Sequence, residues 1–325
     1  MYCSKLNLLE TEMAIKFIKD GFERRLGKAL NLTRVSAPLI VSRQSGINDY
    51  LNGIETPVGF SYRGQRIEIV QSLAKWKRMA LKRYGFKVGH GLYCDMNALR
   101  QDEVVDFLHS LYVDQWDWEK IISKEERCQD YLFATVKKIY AVVRKMEQSV
   151  NIRYRLLTHK LPKEVYFIDS QDLEDRYSGL DARQREYAIV KKHKAVFITR
   201  IGGLLKSKTI HDGRSPDYDD WNLNGDLLLY DQINDAVLEI SSMGIRVDET
   251  SLLRQLEERK ALDRLQYAYH KGIINKELPL TIGGGIGQSR LCQFLLEKKH
   301  IGEVQASYWP DEVLNELDAE NIPVL

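Results

Sequence analysis

Four glycines within five positions, entered from an apolar run and left through a helix, constrain this chain more than any other feature. The segment reads Thr281-Ile-Gly-Gly-Gly-Ile-Gly-Gln-Ser-Arg290-Leu. Without a Cβ, another group can lie flat against the backbone. A helix opening favours anions, and Arg290 in its first turn adds a planar, permanently charged face that can stack on a base or grip a phosphate. A dinucleotide turn needs a further glycine that does not follow Gly287-Gln288, and fewer than 40 residues remain after it, too few for the rest of that fold. A P-loop needs Gly-Lys-Ser/Thr, which is absent. A nucleotide-contacting strand–helix junction and a plain packing corner remain.

The pattern along the chain sets the class. Met13, Phe17, Ile18, Gly21, Phe22, Arg25 and Leu26 recur at helical spacing, which predicts an amphipathic helix over about 9–30. Residues 35–41 read as a strand, and Pro38 inside it, having no N–H for a ladder, puts that strand at an edge or an interface. Residues 56–62 and 65–70 alternate about Arg63-Gly64 as a hairpin. Further helices are predicted at 72–84, 119–150, 181–194, 249–271 and 288–299, and further strands at 91–96, 165–168, 195–201, 227–230, 236–242 and 278–282. Strands cluster in hairpins and do not alternate with helices. That argues α+β with a mostly antiparallel sheet flanked by helices.

Composition narrows the function. Lys+Arg is 48 against Asp+Glu 46, a net charge of +2, which gives no support for a nucleic-acid or anionic-membrane partner. No repeat or linker divides the 325 residues, so one large domain, 1–325, is expected. Cys3, Cys94, Cys128 and Cys292 are scattered, which excludes a zinc ribbon and reads as a reduced protein. No apolar run approaches the roughly 18 residues of a membrane helix, and charges at Lys5, Glu10, Glu12 and Lys16 exclude a signal peptide. A cytoplasmic protein is expected. The seven histidines show no metal spacing; His211, in an acidic loop, is the one worth testing.

Five further segments could carry chemistry. Ala98-Leu-Arg100-Gln-Asp-Glu103 puts an arginine with its own carboxylate brace at a strand end, although such pairs are usually solvated. Asp226 and Glu239 sit in apolar strands, where carboxylates are costly unless paired or metal-bound. Two such groups beside a nucleotide suit Mg²⁺, which takes few carboxylates plus phosphate oxygens; alternation also allows both to face solvent. The run Ser72-Leu-Ala-Lys75-Trp76-Lys77-Arg78 is either a binding helix or a solvated face. In Tyr112-Val-Asp-Gln115-Trp-Asp117-Trp-Glu119, alternation puts Gln115 and Asp117 on one face of a strand. Arg214-Ser-Pro-Asp217-Tyr218-Asp219-Asp-Trp221 is loop-like.

Together these segments resemble the ammonia-dependent asparagine synthetases (aspartate–ammonia ligases), a family that has these motifs in this order. The resemblance runs from about Met13 to Trp309 and is strongest at 72–78, 112–119, 211–221, 241–247 and 281–291. That family is similar to the catalytic core of class II aminoacyl-tRNA synthetases, especially the aspartyl one. Val35-Ser-Ala-Pro38-Leu-Ile resembles the first class II motif, Arg100-Gln-Asp-Glu103 the second, and 283–290 the third. The resemblance implies an antiparallel sheet flanked by helices, and a homodimer. It implies that Arg100 and Arg290 hold ATP together with Arg214, Tyr218, Asp226, Gly285 and Gly287, and that Asp226 and Glu239 take the accompanying Mg²⁺. It further implies an aspartate pocket lined by Asp49, Lys77, Gln115, Asp117 and Asp219, with Ser241, Ser242 and Arg246 beside it, and catalytic roles for Arg100, Asp49 and Lys77.

The implied reaction joins L-aspartate, ATP and ammonia through β-aspartyl-AMP to give L-asparagine, AMP and pyrophosphate. Tyr2 precedes Cys3, so removing Met1 would not expose the N-terminal cysteine that glutamine-using asparagine synthetases need. The competing readings are an aspartyl- or asparaginyl-tRNA synthetase and a non-catalytic paralogue that binds aspartate and ATP. The first needs an anticodon module, for which no room is expected before a first motif that starts near residue 27.

Overall fold

The computed structural model describes residues 2–51 and 55–325. In chain order its first half forms α1 (Leu8–Leu30), β1 (Leu32–Arg34), β2 (Ile40–Ser42), β3 (Gly59–Tyr62), β4 (Gln65–Ile69), α2 (Ala74–Arg83), β5 (Gly91–Leu99), β6 (Tyr112–Ile121) and α3 (Gln129–Arg153). There follow β7 (Tyr166–Asp169), α4 (Ser170–Arg176), α5 (Ala182–His193), β8 (Ala195–Thr199), β9 (Asp219–Asp231), β10 (Ala236–Arg246), α6 (Glu249–Glu258), α7 (Ala268–Ile274), β11 (Thr281–Gly287), α8 (Gln288–Leu295) and α9 (Asp311–Ala319).

Eight strands make one sheet in the order β1-β5-β6-β11-β10-β9-β8-β7. Its five central pairings are antiparallel. The outer pairs β1·β5 and β7·β8 are parallel, so the sheet is mixed rather than purely antiparallel. Parallel neighbours need a long crossover. Helices α4 and α5 supply it between β7 and β8, and the β1–β5 connection carries a small second sheet, β2-β4-β3.

Several predicted boundaries move for local reasons. The strand expected at 35–41 is interrupted: Val35 N–H still bonds to the Tyr93 carbonyl at 2.9 Å, then the ladder stops before Pro38, the chain crosses from one sheet to the other, and only Ile40 and Val41 of the expected span are in a strand, the edge strand β2. The helix expected from 119 begins only at Gln129, because the alternation of 112–121 continues as β6. The helix expected at 249–271 is broken at Lys260, whose φ of 53° is left-handed, into α6, a 3-10 turn (Leu262–Gln266) and α7. Helix α8 stops at Leu295, and Glu297 with φ 55° turns the chain away.

Helix α1 starts at a capping box: the Asn7 side chain accepts from the Glu10 N–H, and Glu10 accepts from the Asn7 N–H. It buries Ile18, Phe22 and Leu26 against α3 and the sheet, while Met13, expected on that stripe, is exposed. Strand β6 then divides its side chains by parity. Trp116 and Trp118 enter the main core, with Trp116 packed 4.6 Å from the Phe22 ring. Gln115, Asp117 and Glu119 point the other way, where α2 crosses the sheet. That face carries the site. Among the described residues no helix is long and apolar enough to cross a membrane.

Candidate active site

The glycine run is not a turn. Strand β11 continues through it to Gly287, and none of its glycines has positive φ. They are needed for space. A Cβ on Gly283 would lie 2.0 Å from Glu119 Oε2, and one on Gly285 would lie 2.1 Å from Gln115 Oε1. The groups that lie flat against this backbone are therefore the polar side chains of β6. The opening of α8 is also occupied: Ser289 N–H and Oγ–H donate to Asp114 at 3.0 and 2.9 Å, so the anion at this helix end is the protein's own carboxylate.

The polar face is a buried charge network. Arg246 Nε donates to both Glu119 oxygens at 3.0 Å, Arg246 Nη2 donates to Oε2 at 2.7 Å, and Arg246 Nη1 pairs with Asp219. Thr281 Oγ1 adds a bond to Glu119 at 2.6 Å. Burial alone would raise the Glu119 carboxyl, but Arg246 and Lys77 outweigh it and hold it below its ordinary value. Lys77 pairs with Asp117 and donates to the Trp118 and Gly284 carbonyls at 3.0 and 3.3 Å. The cationic run 72–78 is thus not a solvated face: Lys75, Lys77 and Arg78 are all buried.

Above this network lies a cavity of about 370 Å³. Of the residues singled out from sequence, Lys77, Gln115, Asp117, Asp219, Ser242 and Arg246 line it, as do Arg100, Arg214, Tyr218, Glu239, Gly285, Gly287 and Arg290. Arg100 is held only loosely, its Nη1 lying 3.8 Å from Glu103, and its buried Nε has no hydrogen-bond partner among the described residues. Arg290 donates to the Glu239 carbonyl at 3.1 Å.

Three of the singled-out residues are not on the wall. Ser241 turns its hydroxyl to the Gly285 carbonyl at 2.8 Å and ties β10 to β11. Asp226 is buried behind Arg214, which pairs with it, so the solvent-facing alternative does not apply to it. Asp49 is buried beside Ser215, with Oδ1 3.4 Å from the Ser215 hydroxyl and Oδ2 without a partner among the described residues; Ser215 and Leu51 line the cavity. His211 also lies off the cavity, its Nε2 2.9 Å from Glu186. Cys94 and Cys292 are buried, and burial pushes the Cys292 thiol up to about 12, so it is an inert packing group.

Sequence reasoning assigned no role to Glu119, Lys75, Asp217 or His270, although all are buried and paired around this site. The only signal was parity: Glu119 continues the Gln115–Asp117 face. An alanine at Gly285 tests that face. Its Cβ must displace the mobile Gln115 amide. The KM for the ligand bound there is expected to rise roughly five- to tenfold, the loss of about one hydrogen bond, with the melting temperature little changed. Steady-state kinetics and a thermal melt decide it.

Comparison with known proteins gives the family. The family model described as aspartate-ammonia ligase matches residues 9–321. The chain is similar to the aspartate–ammonia ligase of Fusobacterium nucleatum, with 56% identity over 325 residues that cover 100% of this chain and 99% of that one. It is also similar to that of Ruminiclostridium cellulolyticum, at 54% over 327 residues, covering 100% and 97%. Among solved structures it is similar to Pyrococcus horikoshii asparaginyl-tRNA synthetase complexed with asparaginyl-adenylate, with a TM-score of 0.68 at 13% identity over 92% of this chain and 70% of that one. At that identity the likeness shows a shared class II synthetase-like fold. The sequence matches over the full length go further: the chain belongs to the aspartate–ammonia ligase family.

Proposed function

We infer that the cavity is the place where this ligase makes L-asparagine from L-aspartate, ATP and ammonia. A carboxylate is a poor electrophile at neutral pH, because its negative charge repels a nucleophile and no good leaving group is present. Attack of the side-chain carboxylate on the α-phosphorus forms a mixed anhydride, β-aspartyl-AMP, and expels pyrophosphate. Ammonia then displaces AMP. The single observation that carries this reading is Arg100: a guanidinium on the cavity wall, loosely held, with a buried Nε that has no partner. It is free to bridge the reacting carboxylate and the α-phosphate as charge builds between them. Arg290 and Arg214 are the further cations for the nucleotide.

Lys77, Gln115, Asp117, Asp219, Ser242 and Arg246 are assigned to aspartate. Lys77 is already neutralised by Asp117, and Asp219 by Arg246, so a bound aspartate shares these pairs: its carboxylate with Lys77 and its ammonium with Asp219. Asp219 is committed to Arg246, although burial, the larger effect, pushes its carboxyl above the ordinary value. Asp49, buried beside the cavity-lining Ser215, is assigned the proton that attacking ammonia must lose.

Asp226 and Glu239 fit Mg²⁺. Asp226 Oδ1 is buried without a partner, and its carboxyl is pushed up to about 7 by burial, with Arg214 opposing and Glu239 reinforcing. A divalent cation would give that oxygen a partner. Among the described residues no three His, Cys, Asp or Glu side chains converge as a metal cage, so the remaining ligands would be phosphate oxygens and water. Bound with ATP, Mg²⁺ would neutralise charge on the phosphates. Chelation is expected to abolish turnover and added Mg²⁺ to restore it, as read by asparagine formation.

We place the enzyme in the cytoplasm, where ATP and free aspartate meet, as a single catalytic domain working as a homodimer. Exposed Leu39, Ile40, Phe60 and Tyr62 around the small sheet support an interface there, to be checked by sedimentation. The chemistry is tested with L-aspartate carrying ¹⁸O in its side-chain carboxylate. One label should appear in AMP. Label in inorganic phosphate, or in no product phosphate, would remove the β-aspartyl-AMP intermediate.

A further inference from the structure

Behind the cavity wall lies a cluster that the reaction as written does not use. Asp217 is fully buried in the middle of the loop that also carries Arg214, Ser215, Tyr218 and Asp219. Its Oδ2 receives Lys75 Nζ at 3.1 Å, Arg264 Nη1 at 2.9 Å and His270 Nε2 at 3.0 Å. Its Oδ1 receives the Ser215 hydroxyl at 2.8 Å. An ion pair from α2 and three hydrogen bonds, from the 3-10 turn, α7 and the loop, thus converge on one carboxylate. Burial works against the anion, but Lys75, the His270 hydrogen bond and Arg264 outweigh it and hold Asp217 well below the usual carboxylate range.

Ser215 has two carboxylate neighbours and one hydroxyl hydrogen. Asp217 is the nearer, at 2.8 Å against 3.4 Å for Asp49 Oδ1, and it is the more firmly anionic. The hydrogen therefore points to Asp217, and the Ser215 lone pairs point to Asp49. An oxygen that presents lone pairs to a carboxylate is repulsive when that carboxylate is ionised and attractive when it carries a proton.

We propose that Asp217 and Ser215 are positioning residues for the ammonia step: Asp217 orients the Ser215 hydroxyl so that it accepts a hydrogen bond from protonated Asp49, and so sets how tightly Asp49 holds the proton it takes from ammonia. The proposal rests on the assignment of Asp49 as proton acceptor. In the step itself, the nitrogen lone pair forms the C–N bond at the β-carbonyl carbon. The C–O bond to AMP breaks with its electron pair, and one N–H proton passes to Asp49 Oδ1, the oxygen that faces the Ser215 hydroxyl. Ser215 and Asp217 exchange no proton. The groups facing Asp49 are Lys75, Arg264, Asp217 and Tyr218. Burial pushes its carboxyl up to about 6, with Lys75, Arg264 and a Tyr218 hydrogen bond opposing and Asp217 reinforcing, in the range where a proton acceptor is useful.

The test is the pH dependence of kcat/KM for ammonia in Ser215→Ala, divided by that of the wild type so that the ammonium equilibrium of the substrate cancels. Aspartate-dependent ATP–pyrophosphate exchange without ammonia is measured alongside. Losing the acceptor destabilises protonated Asp49, so the acidic limb should move to lower pH by about half a unit to one unit. The exchange reaction should keep the shape of its pH profile. A limb that moves up shows that the hydroxyl donates to Asp49, and an unmoved limb shows no coupling; either overturns the proposal, as does an equal displacement of the exchange profile. Asp217→Asn should move the limb the same way, and if that protein does not fold, Ser215→Ala decides alone. Asp49→Asn separates the two claims: if it retains the ammonia step with its acidic limb, the assignment of Asp49 is wrong, whatever Ser215→Ala shows.

Discussion

Replacing Arg100 with alanine should slow adenylate formation by about 10²–10³, the usual loss when one preorganised donor to a transition-state charge is removed. In-line attack on the α-phosphorus brings a carboxylate against a phosphate, two anions that repel until a cation lies between them. Arg100 is loosely held: its Glu103 contact is 3.8 Å, whereas Arg214 and Arg246 are each committed to buried carboxylates. Few native contacts are lost with it, so the fold should be undisturbed. Exchange of pyrophosphate into ATP should fall with kcat while the unfolding midpoint stays within the error of wild type. Arg100→Lys should recover only part of the rate, because a point charge cannot grip both groups as a planar fork does. An Arg100→Ala protein with near-normal exchange would remove the residue from the chemistry.

Replacing Arg246 with methionine should cost about 3–5 kcal/mol of stability at neutral pH, the range for stripping one partner from a buried ion pair. Glu119 and Asp219 are both buried, and each would lose its guanidinium. The sign of the pH dependence follows. Glu119 lies below its ordinary value in the wild type, so its contribution is present above the unfolded-state value and is lost as pH falls through the folded one. In the variant, burial without Arg246 raises Glu119 instead, which penalises the folded state at neutral pH and relieves it in acid. The gap between variant and wild type should therefore narrow as pH drops through the ordinary glutamate range. Urea unfolding at neutral and acidic pH measures it, and a gap below about 1 kcal/mol at neutral pH would show that the network is not what holds β6, β10 and β11 together at this face.

What could be read in advance, and what could not, separates by the range of the interaction. Parity along 112–119 is local, and it assigned Gln115 and Asp117 to one face and the tryptophans to the other. The glycine run was legible as a place of close approach. Absence of a Cβ does not say whether freedom of φ or free space is the reason, however, so the strand was ended at 282 when it runs to Gly287. The cationic run 72–78 left a solvated face open, because the partners that bury it, Asp117 for Lys77 and Asp217 for Lys75, lie far along the chain. Within Asp217-Tyr-Asp219-Asp220 nothing local marks which carboxylate faces the cavity; it is Asp219, while Asp217 turns to Lys75, Arg264 and His270, and Asp220 to Arg127. Helices α4 and α9 were missed, both being short, and the seven residues of α4 are too few for an apolar repeat to stand out.

The most direct test of the central claim is to incubate the purified protein with ATP, Mg²⁺ and L-aspartate, in parallel with ammonium, with glutamine and with neither, and to resolve the nucleotides and amino acids. AMP, pyrophosphate and asparagine should accumulate with ammonium alone. ADP in place of AMP would put attack at the γ-phosphorus and contradict the placement of Arg100, and no nucleotide turnover by a folded sample would contradict the ligase activity itself.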